Sequence, residues 1–153
     1  MLDNWRYGMP PKIGEVYMMQ FSGDDNVLSG WRPGIVLQNN IGNLYSPNVI
    51  ALPITTSLKK LTQPTHVLLL AEETGLLMDS MVLCENPETI SKARIGRFLT
   101  TLPDEHMRRV ALASVMATSA IAFLAEHELH KVWQTASRLN EVVLPDVNER
   151  QKY

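Results

Sequence analysis

The sequence predicts an α+β fold, mainly β: a small twisted sheet or half-open barrel with a C-terminal helix packed on it. Three observations carry that expectation. Before Pro103, short apolar runs alternate with Gly, Pro, Asn and Ser, the pattern of strands and turns. After Pro103 the apolar residues move to helical spacing, and no Gly or Pro recurs until Pro145. Strands first and helix last is the order of an α+β domain rather than of βαβ units. At 153 residues the chain suits one domain with a real hydrophobic core.

The elements follow in order. "EVYMMQF" (Glu15–Phe21) reads as the first strand, followed by the loop "SGDDNVLSG". "GIVLQNN" (Gly34–Asn40) is the second strand, closed by a turn at Gly42 and Asn43. "NVIALPITT" (Asn48–Thr56) is the third, and its Pro53 suggests an edge or a bulge. "THVLLLA" (Thr65–Ala71) and, after a turn at Glu73–Gly75, "SMVLCE" (Ser80–Glu85) are the fourth and fifth. "ARIGRFLTTL" (Ala93–Leu102) adds a sixth strand or leads into the helix. Pro103-Asp104-Glu105 then supplies a helix start, with carboxylates over the positive end of the dipole. An unbroken helix from Asp104 to Asn140 would span ~55 Å, longer than a domain of this size. A kink, a break near Glu126–Glu128, or projection onto a partner is therefore expected. Leu129, Val132, Trp133, Ala136 and Leu139 form an apolar stripe on its second half that needs covering. The last residues, "VNERQKY", read as a frayed tail.

Composition narrows the function. Hydrophobic residues make up 45% and charged residues 20%, an ordinary globular balance. No apolar run approaches the ~20 residues of a membrane helix. The N-terminus lacks the basic-then-apolar plan of a secretory signal. The single cysteine, Cys84, excludes an internal disulfide framework and fits a reducing cytosol. The net charge of −2, from 14 basic and 16 acidic residues, argues against indiscriminate nucleic-acid binding, but leaves room for a local basic groove.

Few residues remain for chemistry. His127 and His130 stand one turn apart in "HELH" without a third ligand at metal spacing, so they read as solvent-facing side chains. Cys84, inside the apolar "MVLCE", reads as packed core. Nucleophile-elbow, phosphate-loop and dinucleotide motifs are missing from the sequence. Arg32 opens one strand and Thr55-Thr56-Ser57 closes another, with Lys59 and Lys60 beside them. Guanidinium, hydroxyls and lysines at one rim would suit a phosphodiester, because arginine matches phosphate oxygens bidentately. The alternative is structural: Arg32 pairs with Asp79 or Glu85, and the threonines only end a strand. His66, the one histidine of the strand region, reads either as a proton acceptor or as a hydrogen-bonded strand residue.

"GEVYMMQF", "GWRPGIVLQNNIGNLYSPNVIALPITTSLKK", "PTHVLL", "DSMVLCENPETISKARIGR" and "LPDEHMRRVALA" occur in that order. Together they resemble the MazF/PemK family of toxin endoribonucleases, over about residues 13–124. The resemblance implies an SH3-like, CcdB/MazF-type half-barrel, a homodimer, and cleavage of single-stranded RNA without metal or other cofactor. It also implies a cognate antitoxin whose extended acidic segment covers the RNA groove, and a cytoplasmic protein that engages no membrane. Arg32 takes the position of the family's catalytic arginine in the Arg-Pro motif, and Thr55 that of its catalytic threonine. RNA contacts are then expected from Asn26, Ser29, Trp31, Thr56, Ser57, Lys59 and His66. The chain departs from the family in three places. Its first loop reads "GDDNVLSG", with Asn26 near the family's serine and Ser29 a stand-in. Glu88 replaces a common arginine, where a carboxylate is expected to repel phosphate. Residues 126–153 form a helical extension and tail beyond a toxin domain of residues 1–125. Two other readings stay open: a relative that binds antitoxin without cleaving RNA, and a CcdB-like gyrase poison. The ending "ERQKY" lacks the aromatic-Gly-Ile terminus that the second would need.

Overall fold

The computed structural model describes residues 10–23 and 29–141; Asn26 lies outside them. Seven strands form the sheet: β1 (Glu15–Ser22), β2 (Ser29–Val36), β3 (Asn48–Thr55), β4 (His66–Leu69), β5 (Ser80–Leu83), β6 (Glu88–Ser91) and β7 (Ile95–Thr101). All pairings are antiparallel, in the order β4-β5-β3-β2-β1-β7, with β6 also on β3. The helices are α1 (Asn40–Tyr45), α2 (Ala71–Thr74), α3 (Asp104–Met116) and α4 (Glu126–Leu139).

Strand alternation puts one core on each side of the sheet. Val16, Ile35, Leu52 and Ile54 face the first, which α3 covers with Val110 and Ala113. Tyr17, Met19, Phe21, Val36 and Ala51 face the second, which Ile90 of β6 and Ile95 of β7 close into a half-barrel.

Two prolines shape the centre. The β2–β3 ladder runs Val36↔Ala51, Ile35↔Leu52, Gly34↔Pro53 and stops. The Leu37 N–H donates to the Ile50 carbonyl at 2.9 Å, so odd residues of β2 point their backbone groups at β3. Pro33 is the next of these, and it has no N–H to offer. By the same parity Pro53 turns its missing donor to the other edge of β3. There the partner changes from β6, paired through Ala51↔Glu88, to β5, paired from Ile54↔Val82. Pro53 therefore sits in a central strand at a change of partner; of the two expectations, edge or bulge, the edge does not hold.

The second strand also differs from expectation. It spans Ser29–Val36, so Trp31-Arg32-Pro33 lies inside a long hairpin instead of at its mouth. The asparagines expected in that strand build α1 instead. Asn39 Oδ1 accepts from the Gly42 N–H at 2.9 Å, an N-cap that starts a helix where apolar content alone suggested a strand. The buried Asn40 accepts from the Ile13 N–H at 2.9 Å and from Asn43 Nδ2 at 3.2 Å. Lys92 Nζ closes the group by donating to the Asn43 carbonyl at 2.6 Å, and burial lowers the pKa of its ammonium.

The long helix breaks earlier than expected. α3 ends at Met116, Thr118 and Ser119 interrupt it, and a short 3-10 turn over Ala120–Phe123 precedes α4. The serine and threonine hydroxyls compete for backbone partners there. Glu128 Oε1 then accepts from the Ala125 N–H at 2.9 Å to start α4. α4 buries no residue, and its stripe stays exposed, with Trp133 at 67% and His130 stacked on it. Its end is tied back where Asn140 Oδ1 accepts from the Asn40 N–H at 2.9 Å. No described helix is long and apolar enough to cross a membrane.

Candidate functional site

Arg32 stands opposite Met19 in the β1–β2 ladder, so it shares the second-core face with that residue. Thr55 follows Ile54, a residue of the first core, so it points to the second-core side as well. Continuing the Gly34↔Pro53 register by two residues sets Arg32 across from Thr55. β2 and β3 are unpaired beyond Gly34↔Pro53, so the two residues flank the unpaired gap between these strands. Both are half-buried. A guanidinium and a hydroxyl thus lie on one face of the sheet, at the end of the β2–β3 pairing, and neither is fully buried.

Thr55 Oγ1 accepts from the Ser57 N–H at 3.1 Å. That bond uses a lone pair and leaves the hydroxyl proton for an incoming oxygen. Asp79 and Glu85, the carboxylates considered as anchors for Arg32, are engaged elsewhere. Asp79 accepts from the Ala71 N–H at 2.8 Å, and Glu85 bonds His66 Nε2 at 2.8 Å.

His66 sits at the start of β4 with only 7% of its side chain exposed. Its Nδ1 is 3.0 Å from the Lys60 carbonyl and its Nε2 is on Glu85. Both ring nitrogens are thus engaged by partners within the protein. The ring instead anchors the loop over residues 56–65, where Thr56, Ser57, Lys59 and Lys60 are exposed and Lys60 takes a left-handed φ of 54°. Trp31 is 55% exposed beside Arg32, and Ser29 begins β2 opposite Ser22.

A groove of about 350 Å³ on the other side of the hairpin leaves no mark in the sequence pattern. Met18, Pro33, Thr56, Leu77, Arg97 and Phe98 are among its lining residues. Pro33 and Thr56 are the chain neighbours of Arg32 and Thr55, so alternation turns the two pairs to opposite sides of their strands. Arg32 and Thr55 therefore lie on the opposite face of their strands from an apolar groove with Arg97 at its wall.

Cys84 is 1% exposed, and burial pushes its thiol from 9.0 to about 11, which keeps it a thiol and a poor nucleophile. Among the described residues no group of three or more His, Cys, Asp or Glu could hold a metal ion. His127 and His130 are exposed on α4.

Comparison with known proteins bears on the same region. Residues 12–117 match a family described as PemK-like, MazF-like toxin of type II toxin-antitoxin system. The chain is 38% identical over 115 residues to endoribonuclease EndoA of Bacillus subtilis, covering 73% of this chain and 97% of that one. Among solved structures it is similar to the Mycobacterium tuberculosis toxin MazF-mt6, with 27% identity, a TM-score of 0.57, and 67% and 94% of the two chains covered. It is also similar to a mycobacterial endoribonuclease in complex with its cognate antitoxin, at 26% identity and a TM-score of 0.56, covering 70% and 93%. The structure of MazF from Deinococcus radiodurans, 21% identical with a TM-score of 0.61 and 70% and 94% coverage, shares the fold.

Proposed function

Because the chain belongs to the PemK-like, MazF-like toxin family of type II toxin–antitoxin systems, we propose that it is an endoribonuclease that cleaves single-stranded RNA. The observation that carries this reading is the register that sets Arg32 and Thr55 on one face across the β2–β3 gap. RNA supplies its own nucleophile. The 2′-hydroxyl attacks the adjacent phosphorus, the bond to the 5′-oxygen breaks, and a 2′,3′-cyclic phosphate and a 5′-hydroxyl result. The proton lost by the 2′-oxygen is balanced by the one the 5′-oxygen gains.

The protein's share is to stabilise a charge-rich pentavalent transition state. Arg32 holds the non-bridging oxygens with its planar fork. Thr55 adds a donor aimed at the same oxygens, in the manner of an oxyanion hole. Lys59 and Lys60 meet flanking phosphates, Trp31 offers an exposed ring on which a base stacks, and Thr56 and Ser57 add polar contacts. Ser29 and Asn26 complete the expected set of RNA contacts. His66 contributes by anchoring the lysine loop. The toxin domain covers residues 1–125, with residues 126–153 as an extension. The protein works as a cytoplasmic homodimer, held in check by an antitoxin whose acidic segment competes for the basic gap.

Incubating the pure protein with a defined transcript in chelator, and mapping the 5′ ends, tests the reading. Cuts at a recurring sequence with 5′-hydroxyl ends, abolished by Arg32→Ala at unchanged melting temperature, are expected. Intact RNA, or an Arg32→Ala variant that cuts equally well, overturns it.

A further inference from the structure

We propose that Glu88 is a positioning residue, whose carboxylate fastens the end of β1 to β6 and so fixes the Arg32 arm relative to the strand that carries Thr55. The proposal rests on the ribonuclease reading for its consequence, though not for its geometry. Glu88 Oε1 accepts from the Ser22 N–H at 2.9 Å and also from the Ser22 hydroxyl, across 66 residues of sequence. A carboxylate receiving two donors from one residue is a strong, directional tie.

The tie closes a short circuit around the second core. From Ser22, three residues back along β1 lead to Met19, the ladder partner of Arg32. From Glu88, the ladder leads to Ala51 on β3, and four residues further along that strand lies Thr55. β1 and β6 are in contact, with Phe21 and Ile90 buried beneath them. β2 and β3 stop bonding to each other after Gly34↔Pro53, so their ladder does not set the width of the gap beyond it. The Glu88–Ser22 bridge constrains that width from the opposite side of the half-barrel.

This reverses the expectation drawn from charge. A free carboxylate near RNA would repel phosphate, and removing it would tighten binding. A carboxylate committed to Ser22 does the opposite: its removal loosens the arm and slows the chemistry.

Full-length Glu88→Ala, Glu88→Gln and Ser22→Ala proteins separate the two. Three quantities are read against the parent protein: single-turnover cleavage at saturating RNA, RNA affinity, and amide hydrogen exchange over residues 17–35. Glu88→Ala should cleave roughly tenfold or more slowly, because small displacements of a catalytic group cost that much or more. Its RNA affinity should stay within about twofold, while exchange in the arm rises. Glu88→Gln keeps an acceptor oxygen and should stay within about threefold of the parent rate, with Ser22→Ala between the two. Tighter RNA binding by Glu88→Ala with cleavage unchanged or faster overturns the proposal, as does unaltered exchange in the arm. If Glu88→Ala does not fold, Glu88→Gln and Ser22→Ala decide: a parental rate and exchange in both refutes the tie. If the parent protein cuts no RNA, the ribonuclease reading fails, and the exchange comparison alone decides whether Glu88 fixes the arm.

Discussion

Replacing Thr55 by valine keeps the shape of the side chain and removes only its hydroxyl, so the two roles of that oxygen can be weighed separately. One role is local. The oxygen accepts from the Ser57 N–H at 3.1 Å, in an exposed turn. Water can take over that donor, so the loss should lower stability by about 0.5–1 kcal/mol. The other role is catalytic. One lost oxyanion donor costs about 2.7–4 kcal/mol of transition-state stabilisation, or roughly 10²–10³ in rate. The predicted rate effect therefore exceeds the stability effect several-fold. Single-turnover cleavage of a short RNA gives the first quantity, and urea unfolding the second. Thr55→Ser, which keeps the hydroxyl but frees its rotor, should recover most of the rate. A loss below about threefold in Thr55→Val, or about 0.65 kcal/mol, would assign the hydroxyl a minor role. A rate loss no larger than the stability loss would mean that the threonine merely shapes the turn.

Three further outcomes are expected. Arg32→Lys keeps the charge and discards the planar fork, so cleavage should fall on the order of a hundredfold while RNA affinity at low salt changes little; equal rates would show that charge alone suffices. His66→Ala removes the group that joins Lys60 to Glu85, and should lower unfolding stability by about 1–3 kcal/mol and expose the 56–65 loop to protease. Unchanged proteolysis would show that the loop holds itself. Cys84 should resist a thiol reagent until the protein unfolds. Its thiol is raised from 9.0 to about 11 in the fold, so its contribution is full below pH 9 and is lost as pH climbs to about 11. That loss should be about 3 kcal/mol at most, and absent in Cys84→Ala. Alkaline unfolding curves that coincide for the two proteins would contradict it.

The local signals in the sequence were legible where one element needed only its own residues. Five of the strands and the start of α3 at Asp104 fell within a few residues of their structural bounds. The misreadings have non-local or competing causes. Trp31-Arg32-Pro33 read as the point where a loop turns into a strand, because proline and a charge interrupt the apolar pattern, yet the hairpin partner from Met18 to Gln20 holds all three well inside the strand. β6 is four residues with one buried side chain, Ile90, too short to show a period. The asparagine run read as strand because side-chain capping leaves no mark in hydrophobic periodicity. At the candidate site, spacing left Arg32 open between anchor and anion site, and the family resemblance singled it out with Thr55. The engagement of both His66 nitrogens required Lys60 and Glu85, partners that no periodicity brings together.

Why the gap exists at all follows from backbone bookkeeping. In an antiparallel ladder, the rung after Ile35↔Leu52 that faces inward joins residue 33 to residue 54. With proline at 33 that rung can hold one bond at most, and proline at 53 weakens the neighbouring edge where β3 trades β6 for β5. A sheet with full donors here would carry β2 and β3 on in register, and seal Arg32 against Thr55 by close strand pairing. The chain gives up ladder hydrogen bonds at its centre, each contributing on the order of 1 kcal/mol, and leaves β2 and β3 unpaired at Arg32 and Thr55. Burial of Leu52 and Ile54 in the first core and of Ala51 in the second holds β3 in place despite the missing rung. The opening is thus a product of two residues that cannot donate, stabilised by neighbours that need no donor.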